Sequence, residues 1–417
     1  MSKDNVITFK NPSEKAIDPL MTILREGAQQ LLAQALETEI TLFKAAYEEL
    51  RLADHSPQIV RNGTLPTRSL QTGIGSINVE VPRIKDRGKS GIKFQSSLVP
   101  PYLRRTKNIE ELLPVLYLKG ISTGDFGEAL TCLVGEKAMG MSHSTICRLK
   151  QTWEKDFDEW NKRSLIKKKY VYFWADGVYL QARMEEKQCL LVIIGADEFG
   201  KKELVAVQDG FRECEQSWTE VLLALKQRGL AVGAHLATGD GSLGFWQALR
   251  KVYPETKEQR CWVHKTANVL SKLPKTLQSK AKAHLHDIWL NETKEDAERS
   301  FDFFTNCYEA KYPKAVKCLQ KDKDQLLEFY NFPAEHWSHI RTTNPIESTF
   351  ATVRLRTEKT KGCLSRQTAL TMTFKLLESA QKRWIKLKGA HRVAEVITGV
   401  NFVNGIAQND IKQRVAA

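Results

Sequence analysis

The sequence predicts an α/β protein with a mixed β-sheet, helices before that sheet and further helices inserted near its end. Three apolar segments joined by short polar turns indicate an antiparallel meander between residues 168 and 210. A helical segment, a short strand ending in Asp240, a second helical segment and a further strand follow. Three strands, helix, strand, helix, strand is the order of the ribonuclease H-like fold, whose first three strands are antiparallel.

The chain before this core is predicted to be mainly helical, with a small β-containing unit inside it. Residues 1–53 are predicted as an N-terminal helical segment, because apolar side chains recur there at spacings of three and four. Residues 54–103 contain several Gly and Pro residues and an alternating apolar and polar run. This pattern predicts a small β-containing unit, and its basic side chains suit a polyanionic partner.

Residues 104–165 are predicted to form a helix-turn-helix-like DNA-binding domain. The last helix of this range carries an apolar stripe on one face, and small or hydrogen-bonding groups begin the other face. Such groups in the first turn of a recognition helix can reach base edges in the major groove. An ordinary helical hairpin, which is a common motif, is the alternative. The candidate DNA contacts are His143, Ser144, Thr145 and Arg148.

The second half of the chain is predicted to hold an interrupted catalytic core. The core comprises residues 166–264 together with 336–395. Residues 265–335 show helical periodicity almost throughout, which predicts an all-α insertion between the two parts. Residues 396–417 are predicted as a tail.

Composition favours a nucleic-acid partner and gives no sign of a membrane. The chain has 63 Lys and Arg against 49 Asp and Glu, a formal net charge of +14. Cationic side chains that neutralise phosphates release condensed counterions, although a solvated basic surface has the same composition. The first residues lack a signal-peptide pattern, and no apolar run is long enough to span a membrane. We therefore expect a cytoplasmic protein with reduced cysteines.

Three acidic residues on separate elements predict a site for two divalent cations. Asp176 follows an apolar run on the first strand, Asp240 ends a later strand, and Glu347 opens a helix after the insertion. Mg²⁺ prefers a few carboxylate ligands, and two such ions can stabilise the entering and leaving oxygens of phosphodiester cleavage. Each acid alone has an ordinary explanation as a turn former or a partner of a helix dipole. Asp197 and Asp209 are rivals, which we predict to shape hairpins.

Candidate DNA-backbone contacts accompany the third acid. Residues 341–392 contain twelve Lys and Arg but only three Glu and no Asp. A cationic segment beside a metal site is what a DNA backbone requires. Trp289 is a candidate for stacking on an unpaired base, with a place in the core as the alternative. The candidate phosphate ligands are Arg341, Arg354, Arg356 and Lys361.

Several strings resemble those of the bacterial mutator-type insertion-sequence transposases, a family of DDE transposases: ADGVY, TGDGSLGFWQAL, QRCWVHK, RTTNPIES and the flanking RNG and VPR. By motif matching, Asp176, Asp240 and Glu347 stand where the family has its catalytic triad. The resemblance implies a ribonuclease H-like core with an all-α insertion, an N-terminal DNA-binding region and dependence on Mg²⁺ or Mn²⁺. It also implies action on double-stranded DNA, at the terminal inverted repeats of the protein's own element and at target DNA, as a homodimer.

The resemblance also includes a Cys-x-x-His motif, here Cys261 and His264. We expect His264 to shape the edge of the active site by hydrogen bonding and Cys261 to be buried on a strand. A zinc site that includes His284 and His286 is the alternative, although zinc normally takes four ligands in two spaced pairs. Two other functions stay open: a catalytically inactive DNA-binding regulator, and a nuclease that cleaves RNA in hybrids.

Overall fold

A computed structural model of the chain describes residues 19–121, 129, 143–180, 188–210, 212–241, 243–359 and 365–408. The chain forms two compact units, Met1–Ile146 and Cys147–Ala417. The division falls inside residues 104–165, which the sequence assigned to one domain. None of the described helices has the length and apolar content of a membrane span.

The first unit joins one long helix to short antiparallel strands. Strands β1 and β4 pair antiparallel, and β2 and β3 form a hairpin. Leu36 of the long helix is buried in one cluster with Leu70, Ile77 and Val79 from the strands. The predicted helical start is confirmed, and the four short strands lie within residues 54–103, whose assignment as a separate unit stays a prediction. The elements are α1 (Pro19–Ala45), β1 (Ile59–Thr64), β2 (Arg68–Thr72), β3 (Gly75–Val79), β4 (Pro82–Asp86) and α2 (Lys107–Leu118).

Most of the predicted helix-turn-helix lies outside the described residues. Helix α3 (His143–Lys162) is present where the recognition helix was expected. Arg148 is exposed on this helix, whereas the side chains of His143, Ser144 and Thr145 are outside the described part of the structure. DNA contact by these four residues stays a prediction.

A five-stranded mixed sheet forms the centre of the second unit. The strand order is β7-β6-β5-β8-β9. The first three strands pair antiparallel, and β8 and β9 run parallel to β5, as the element order predicted. The elements are β5 (Tyr170–Leu180), β6 (Gln188–Asp197), β7 (Lys202–Gly210), α4 (Glu215–Gln227), β8 (Leu236–Gly239), α5 (Leu243–Val252) and β9 (Lys257–Arg260).

Strand β5 is buried on both faces, which explains why its sequence is almost continuously apolar. Phe173 lies in one buried cluster with Trp218 of α4 and Phe245 of α5. On the opposite face the Trp174 indole N–H donates a hydrogen bond to the carbonyl oxygen of His339, at 2.9 Å. Both faces of the central strand are therefore covered, and its position within the unit is fixed.

Helices fill the chain between β9 and the helix that carries Glu347, where the all-α insertion was expected. The chain leaves and re-enters the core at one place, because the Trp262 N–H donates to the carbonyl oxygen of Arg341 at 3.0 Å. The elements are α6 (Trp262–Leu270), α7 (Lys275–Leu290), α8 (Lys294–Tyr308), α9 (Pro313–Gln320), α10 (Lys323–Leu327), two short 3-10 helices (Glu328–Asn331 and Ala334–His336) and α11 (Trp337–Ile340).

The C-terminal part of the chain packs back onto the core and the insertion. The predicted tail begins inside α14, and its hairpin is held to the insertion by a hydrogen bond from the Gly405 N–H to the Tyr330 carbonyl oxygen, at 3.1 Å. The elements are α12 (Asn344–Lys359), α13 (Arg366–Gln381), a 3-10 helix (Ala390–Arg392), α14 (Val393–Ile397), β10 (Phe402–Val403) and β11 (Ile406–Ala407).

The two rival aspartates have different structural roles. Asp197 accepts hydrogen bonds from the backbone N–H groups of Phe199 and Lys201, which confirms its place in the β6–β7 turn. Asp209 does not shape a hairpin, contrary to the prediction. Its carboxylate forms a two-point ion pair with Arg366, at 2.7 and 2.9 Å, and thereby joins β7 to α13.

A buried ion pair joins the insertion to the sheet. Lys265 on α6 donates a hydrogen bond to Asp322, between α9 and α10, and both side chains are about nine-tenths buried. Arg260 of β9 lies 3.8 Å from the same carboxylate. Loss of this single carboxylate would leave two buried cations without their acidic partner, which is a costly arrangement.

We predict that Asp322→Ala lowers the free energy of unfolding by about 3–5 kcal/mol, the usual cost of breaking a buried pair. Asp302→Ala is the matched control, because the Asp302 carboxylate is largely exposed and 3.9 Å from Lys323. The control should cost less than about 1 kcal/mol. Urea denaturation of both variants measures the difference, and equal midpoints would contradict the assignment.

Candidate active site

The pairing of β5 with β8 brings the two predicted aspartates together. These strands are parallel, and Ala175 lies opposite Gly239. Asp176 and Asp240 are the next residues along each strand. Because neighbouring strands are about 4.8 Å apart, the two carboxylates emerge side by side at the same edge of the sheet.

Two side chains, Trp246 and Arg260, fix the backbone at Asp240 by hydrogen bonds. Its carbonyl oxygen accepts hydrogen bonds from the Trp246 indole at 2.8 Å and from Arg260 at 3.0 Å. Trp246 is buried and belongs to the core. A Cβ on Gly239 would lie 3.1 Å from the Trp246 ring, whereas one on Gly241 would meet nothing within 4 Å. Gly241 therefore faces open space, whereas Gly239 is packed against the core.

The Asp176 carboxyl is in an environment that disfavours its charge. Burial first, and then the negative charges of Glu213 and Asp240, raise its pKa to about 7, against the opposing effects of His264 and the Gly177 N–H. The Gly177 N–H donates a hydrogen bond of 2.9 Å to the Asp176 carboxylate. Negative charge is therefore concentrated at this edge of the sheet.

Glu347 is oriented by the residue that precedes its helix. The Thr343 carbonyl oxygen accepts the Glu347 N–H at 3.1 Å, so Thr343 caps α12 and Asn344 is its first helical residue. The Thr343 hydroxyl also donates to the Glu347 carboxylate at 3.1 Å. Glu347 is half-buried, and its Oε1 lies 3.4 Å from Nε2 of His264.

The Cys-x-x-His pair joins this same cluster. Cys261 is buried, but it follows the end of β9 and caps α6 instead of lying on a strand. The Thr343 backbone N–H donates to its sulfur at 3.3 Å, and the Thr343 hydroxyl oxygen lies 3.2 Å from that sulfur and 3.4 Å from Nδ1 of His264. Burial opposes the charge of His264, yet the hydrogen bond to Cys261 and the negative aspartates raise its pKa to about 9. His264 is thus a cation at neutral pH.

The structure collects the predicted triad around His264. The electrostatic effect of His264 reaches both Asp176 and Asp240, and its other partner is Glu347. The donor atoms of Cys261, His264 and Glu347 lie within 4.8 Å of one another, and the aspartates are not part of that group. In this conformation His264 contacts the glutamate directly and interacts with the two aspartates through its charge.

The alternative zinc site with two further histidines does not form among the described residues. His284 on α7 lies 3.2 Å from the Tyr308 hydroxyl, and its ring packs on Phe303. His286 packs edge-on against Trp289 at 5.1 Å between ring centroids. Both histidines are therefore part of the insertion's own packing.

The aromatic candidate for base stacking already has a cationic neighbour. The Arg341 guanidinium lies 4.3 Å from the centroid of the Trp289 ring and donates to the Trp289 carbonyl oxygen at 2.8 Å. Trp289 is half-buried. Arg341 thus holds α7 to the start of the Glu347 helix, and its contact with a phosphate stays a prediction. Trp262 is fully buried and belongs to the core.

The other candidate phosphate ligands differ in exposure. Arg354 is exposed on α12, so its predicted contact with DNA is possible in this conformation. Arg356 is 2% exposed, so its guanidinium does not present itself to a phosphate at the surface, contrary to the expectation. Helical geometry explains the difference, since residues two apart point in different directions. Lys361 lies outside the described residues.

Two residues of this site were missed by sequence reasoning. Thr343 directly precedes the first turn of α12, where capping preferences could have identified it. Glu213 lies before α4 and carries no pattern of its own, because a glutamate at a helix start usually interacts with the helix dipole. Only the folded sheet brings it to Asp176.

Comparison with known proteins identifies the family. The model for the Mutator family of transposases matches residues 3–387. The chain belongs to this family. The transposase for insertion sequence element IST2 of Acidithiobacillus ferrooxidans is 50% identical over 289 residues, covering 68% of this chain and 96% of that relative. The transposase for IS6120 of Mycolicibacterium smegmatis is 49% identical over 298 residues, covering 71% and 92%.

A more distant relative covers more of this Mutator-family chain. The transposase for IS256 in transposon Tn4001 of Staphylococcus aureus is 26% identical over 360 residues, which is 84% of this chain and 88% of the relative. The resemblance noted from the short motifs is therefore confirmed.

We predict that Asp176→Asn makes the metal-free protein more stable above pH 7. The folded state raises the pKa of Asp176 from 3.8 to about 7, so it favours the protonated form. The wild type therefore loses stability as pH rises between these values, and an uncharged asparagine avoids that loss. Thermal unfolding in the presence of a chelator should show a melting temperature several degrees higher for the variant above pH 7. The difference in melting temperature between the variant and the wild type should shrink as the pH falls from 7 towards 3.8. A difference that stays constant at all pH values would contradict this prediction.

Proposed function

We propose that this chain is a DNA transposase that binds the terminal inverted repeats of its own insertion sequence. It cleaves and joins DNA strands in a metal-dependent reaction. The observation that carries the proposal is the position of Asp176 and Asp240 directly after the paired residues Ala175 and Gly239, with Glu347 3.4 Å from His264. Membership of the Mutator family supports DNA as the substrate.

The strand order supports a ribonuclease H-like core. Three antiparallel strands are followed by two that run parallel to the first, and the all-α insertion separates the last strand from the Glu347 helix. In this arrangement the first and fourth strands are neighbours, so acids far apart in sequence reach one edge. We assign the core to residues 166–264 and 336–395.

The acidic residues fit a pair of Mg²⁺ or Mn²⁺ ions. All three side chains offer carboxylate oxygens, which hard divalent cations prefer. Repulsion from Asp240 contributes to the raised pKa of Asp176, and a cation would relieve it. When bound, such ions stabilise the attacking and leaving oxygens of phosphoryl transfer. Asp176, Asp240 and Glu347 would hold them.

The surrounding residues position these ligands. Thr343 orients the Glu347 carboxylate, and Trp246 with Arg260 holds the backbone that presents Asp240. His264 is charged at neutral pH and faces both carboxylate groups. It can therefore hold a proton beside the reacting phosphate or pair with negative charge there.

The DNA would be held by basic side chains beside the acids and by the N-terminal region. Arg354 is exposed on the helix that carries Glu347, and the chain has a net charge of +14. Joining two transposon ends to target DNA requires two bound ends, so we propose a homodimer. The protein would act in the cytoplasm on the bacterial nucleoid.

We predict that Asp176→Asn, Asp240→Asn and Glu347→Gln each reduce strand cleavage and joining by about 10³-fold or more, equivalent to about 4 kcal/mol in the barrier. Each change removes a negative ligand oxygen and keeps the side-chain shape. Cleavage assays on DNA that carries the element's ends, with Mg²⁺, measure the loss, and gel shifts should show that DNA binding persists.

Asp197→Asn is the control for these variants, because Asp197 lies in the β6–β7 turn. Near-normal joining by any of the three variants would show that its acid is not required. If the wild type binds end DNA without cutting it, the inactive regulator is correct. Preferential cleavage of RNA in hybrids would favour the nuclease.

We predict that Thr343→Val lowers strand joining by about 10–100-fold, a typical effect of removing a residue that orients a metal ligand. Valine keeps the shape but lacks the hydroxyl that contacts Glu347 and Cys261. Thr343→Ser retains the hydroxyl and should keep most of the activity. Equal activity of the two variants would mean that the hydroxyl does not orient Glu347.

A further inference from the structure

A fourth acidic side chain, Glu213, reaches the edge of the sheet where Asp176 lies. Glu213 belongs to the segment between β7 and α4, yet its side chain crosses to β5. A Cβ on Gly177 would lie 2.6 Å from Cγ of Glu213 and nearer still to its carboxylate. The residue after Asp176 must therefore be glycine for the Glu213 side chain to occupy this position.

A second glycine fixes the backbone of Glu213. A Cβ on Gly244, in the first turn of α5, would lie 2.6 Å from the Glu213 carbonyl oxygen. This close contact packs α5, which follows Asp240, against the segment that carries Glu213. Two glycines thus make room for Glu213: Gly177, directly after Asp176, for its side chain, and Gly244, four residues after Asp240, for its backbone.

The orientation of the Glu213 carboxylate is set from β5. The Tyr179 hydroxyl donates a hydrogen bond to it. Tyr179 is two residues beyond Gly177, and alternate residues of a strand share a face. The carboxylate therefore lies beside Gly177, on the face of β5 opposite to the Asp176 side chain. Because the pairing of β5 with β8 ends at Ala175 and Gly239, Glu213 would approach a shared ion from the other side of β5, just beyond the end of β8.

The electrostatics place Glu213 in the same charge cluster as the two aspartates. Burial and the negative charge of Asp240 raise the pKa of Glu213, against the opposing effects of His264 and the Tyr179 hydrogen bond. Glu213 in turn contributes to the raised pKa of Asp176. Holding a third carboxylate beside two others costs free energy unless a cation is shared among them.

We propose that Glu213 supplies a fourth carboxylate to the divalent-cation site formed by Asp176 and Asp240. This inference rests on the proposed function, because it assigns one more ligand to the same ions. Mg²⁺ takes six oxygen ligands, so the three predicted acids leave positions that a further carboxylate can fill. A glutamate whose only role was to interact with the dipole of α4 would not have to contact Gly177 and Tyr179 on β5.

The test is a Mn²⁺ titration of the purified full-length protein, with free Mn²⁺ measured by electron paramagnetic resonance. Glu213→Gln keeps the shape and the Tyr179 contact but removes the charge, and it should weaken Mn²⁺ binding about 10–100-fold. Glu215→Gln is the matched control. Glu215 begins α4 two residues later and pairs with Lys251 at the surface. It should bind Mn²⁺ as the wild type does.

Two further variants keep the inference falsifiable if Glu213→Gln is unstable. Glu213→Asp retains the charge on a shorter side chain and should bind Mn²⁺ with intermediate affinity. Gly177→Ala should displace the Glu213 side chain and weaken Mn²⁺ binding, but add little when combined with Glu213→Gln. Additive losses in the double variant would show that the two residues act independently, and would overturn the inference.

Asp176→Asn separates failure of this inference from failure of the proposed function. If Asp176→Asn weakens Mn²⁺ binding while Glu213→Gln binds as the wild type does, Glu213 is not a ligand and the three-acid site stands. If neither variant changes Mn²⁺ binding, the cation site itself is wrong. Cleavage of end DNA should follow the same order as Mn²⁺ affinity, with a higher Mg²⁺ requirement for Glu213→Gln.

Discussion

The parallel pairing of β5 with β8 is the constraint on which the rest of the site depends. It sets Ala175 opposite Gly239 and so determines where both aspartates emerge. Side-chain hydrogen bonds lock each strand to α11: Trp174 donates to the His339 carbonyl oxygen, and Thr238 to that of Ile340. A shift of one residue in this pairing would turn one carboxylate to the opposite face of the sheet. The covering helices oppose such a shift, because both faces of β5 are buried.

The position of Glu347 depends on a different residue, the buried Thr343, which contacts both the segment after β9 and the start of α12. Thr343 is fully buried, and its hydroxyl contacts groups from the start of α6 as well as from α12. The segment after β9 and the segment after the insertion are consequently positioned by one side chain. His264 connects this pair to the aspartates through its charge, so the two halves of the site are coupled electrostatically as well as by packing.

Much of the fold and the three acids could be predicted because they depend on local pattern. Apolar runs define the strands, periodic apolar residues define the insertion, and Asp176 and Asp240 follow strand residues directly. The errors lie where a role depends on distant partners. Asp209 was predicted as a turn residue, but it forms an ion pair with Arg366, which is far away in the sequence. Arg356 was predicted as a surface cation, but its face of α12 is buried. Glu213 was invisible for the same reason.

The junction between Trp262 and Arg341 has a mechanical consequence. The insertion begins and ends at neighbouring residues. Its outer helices can therefore be lengthened, shortened or replaced without changing the strand order of the sheet. The same arrangement means that tension applied to the insertion is delivered at its base. Arg341 stacks on Trp289 of α7 and lies two residues before Thr343. A ligand that displaced α7 would therefore also displace the turn that positions Glu347. Ligand binding by the insertion and the geometry of the candidate active site would then be coupled through Arg341.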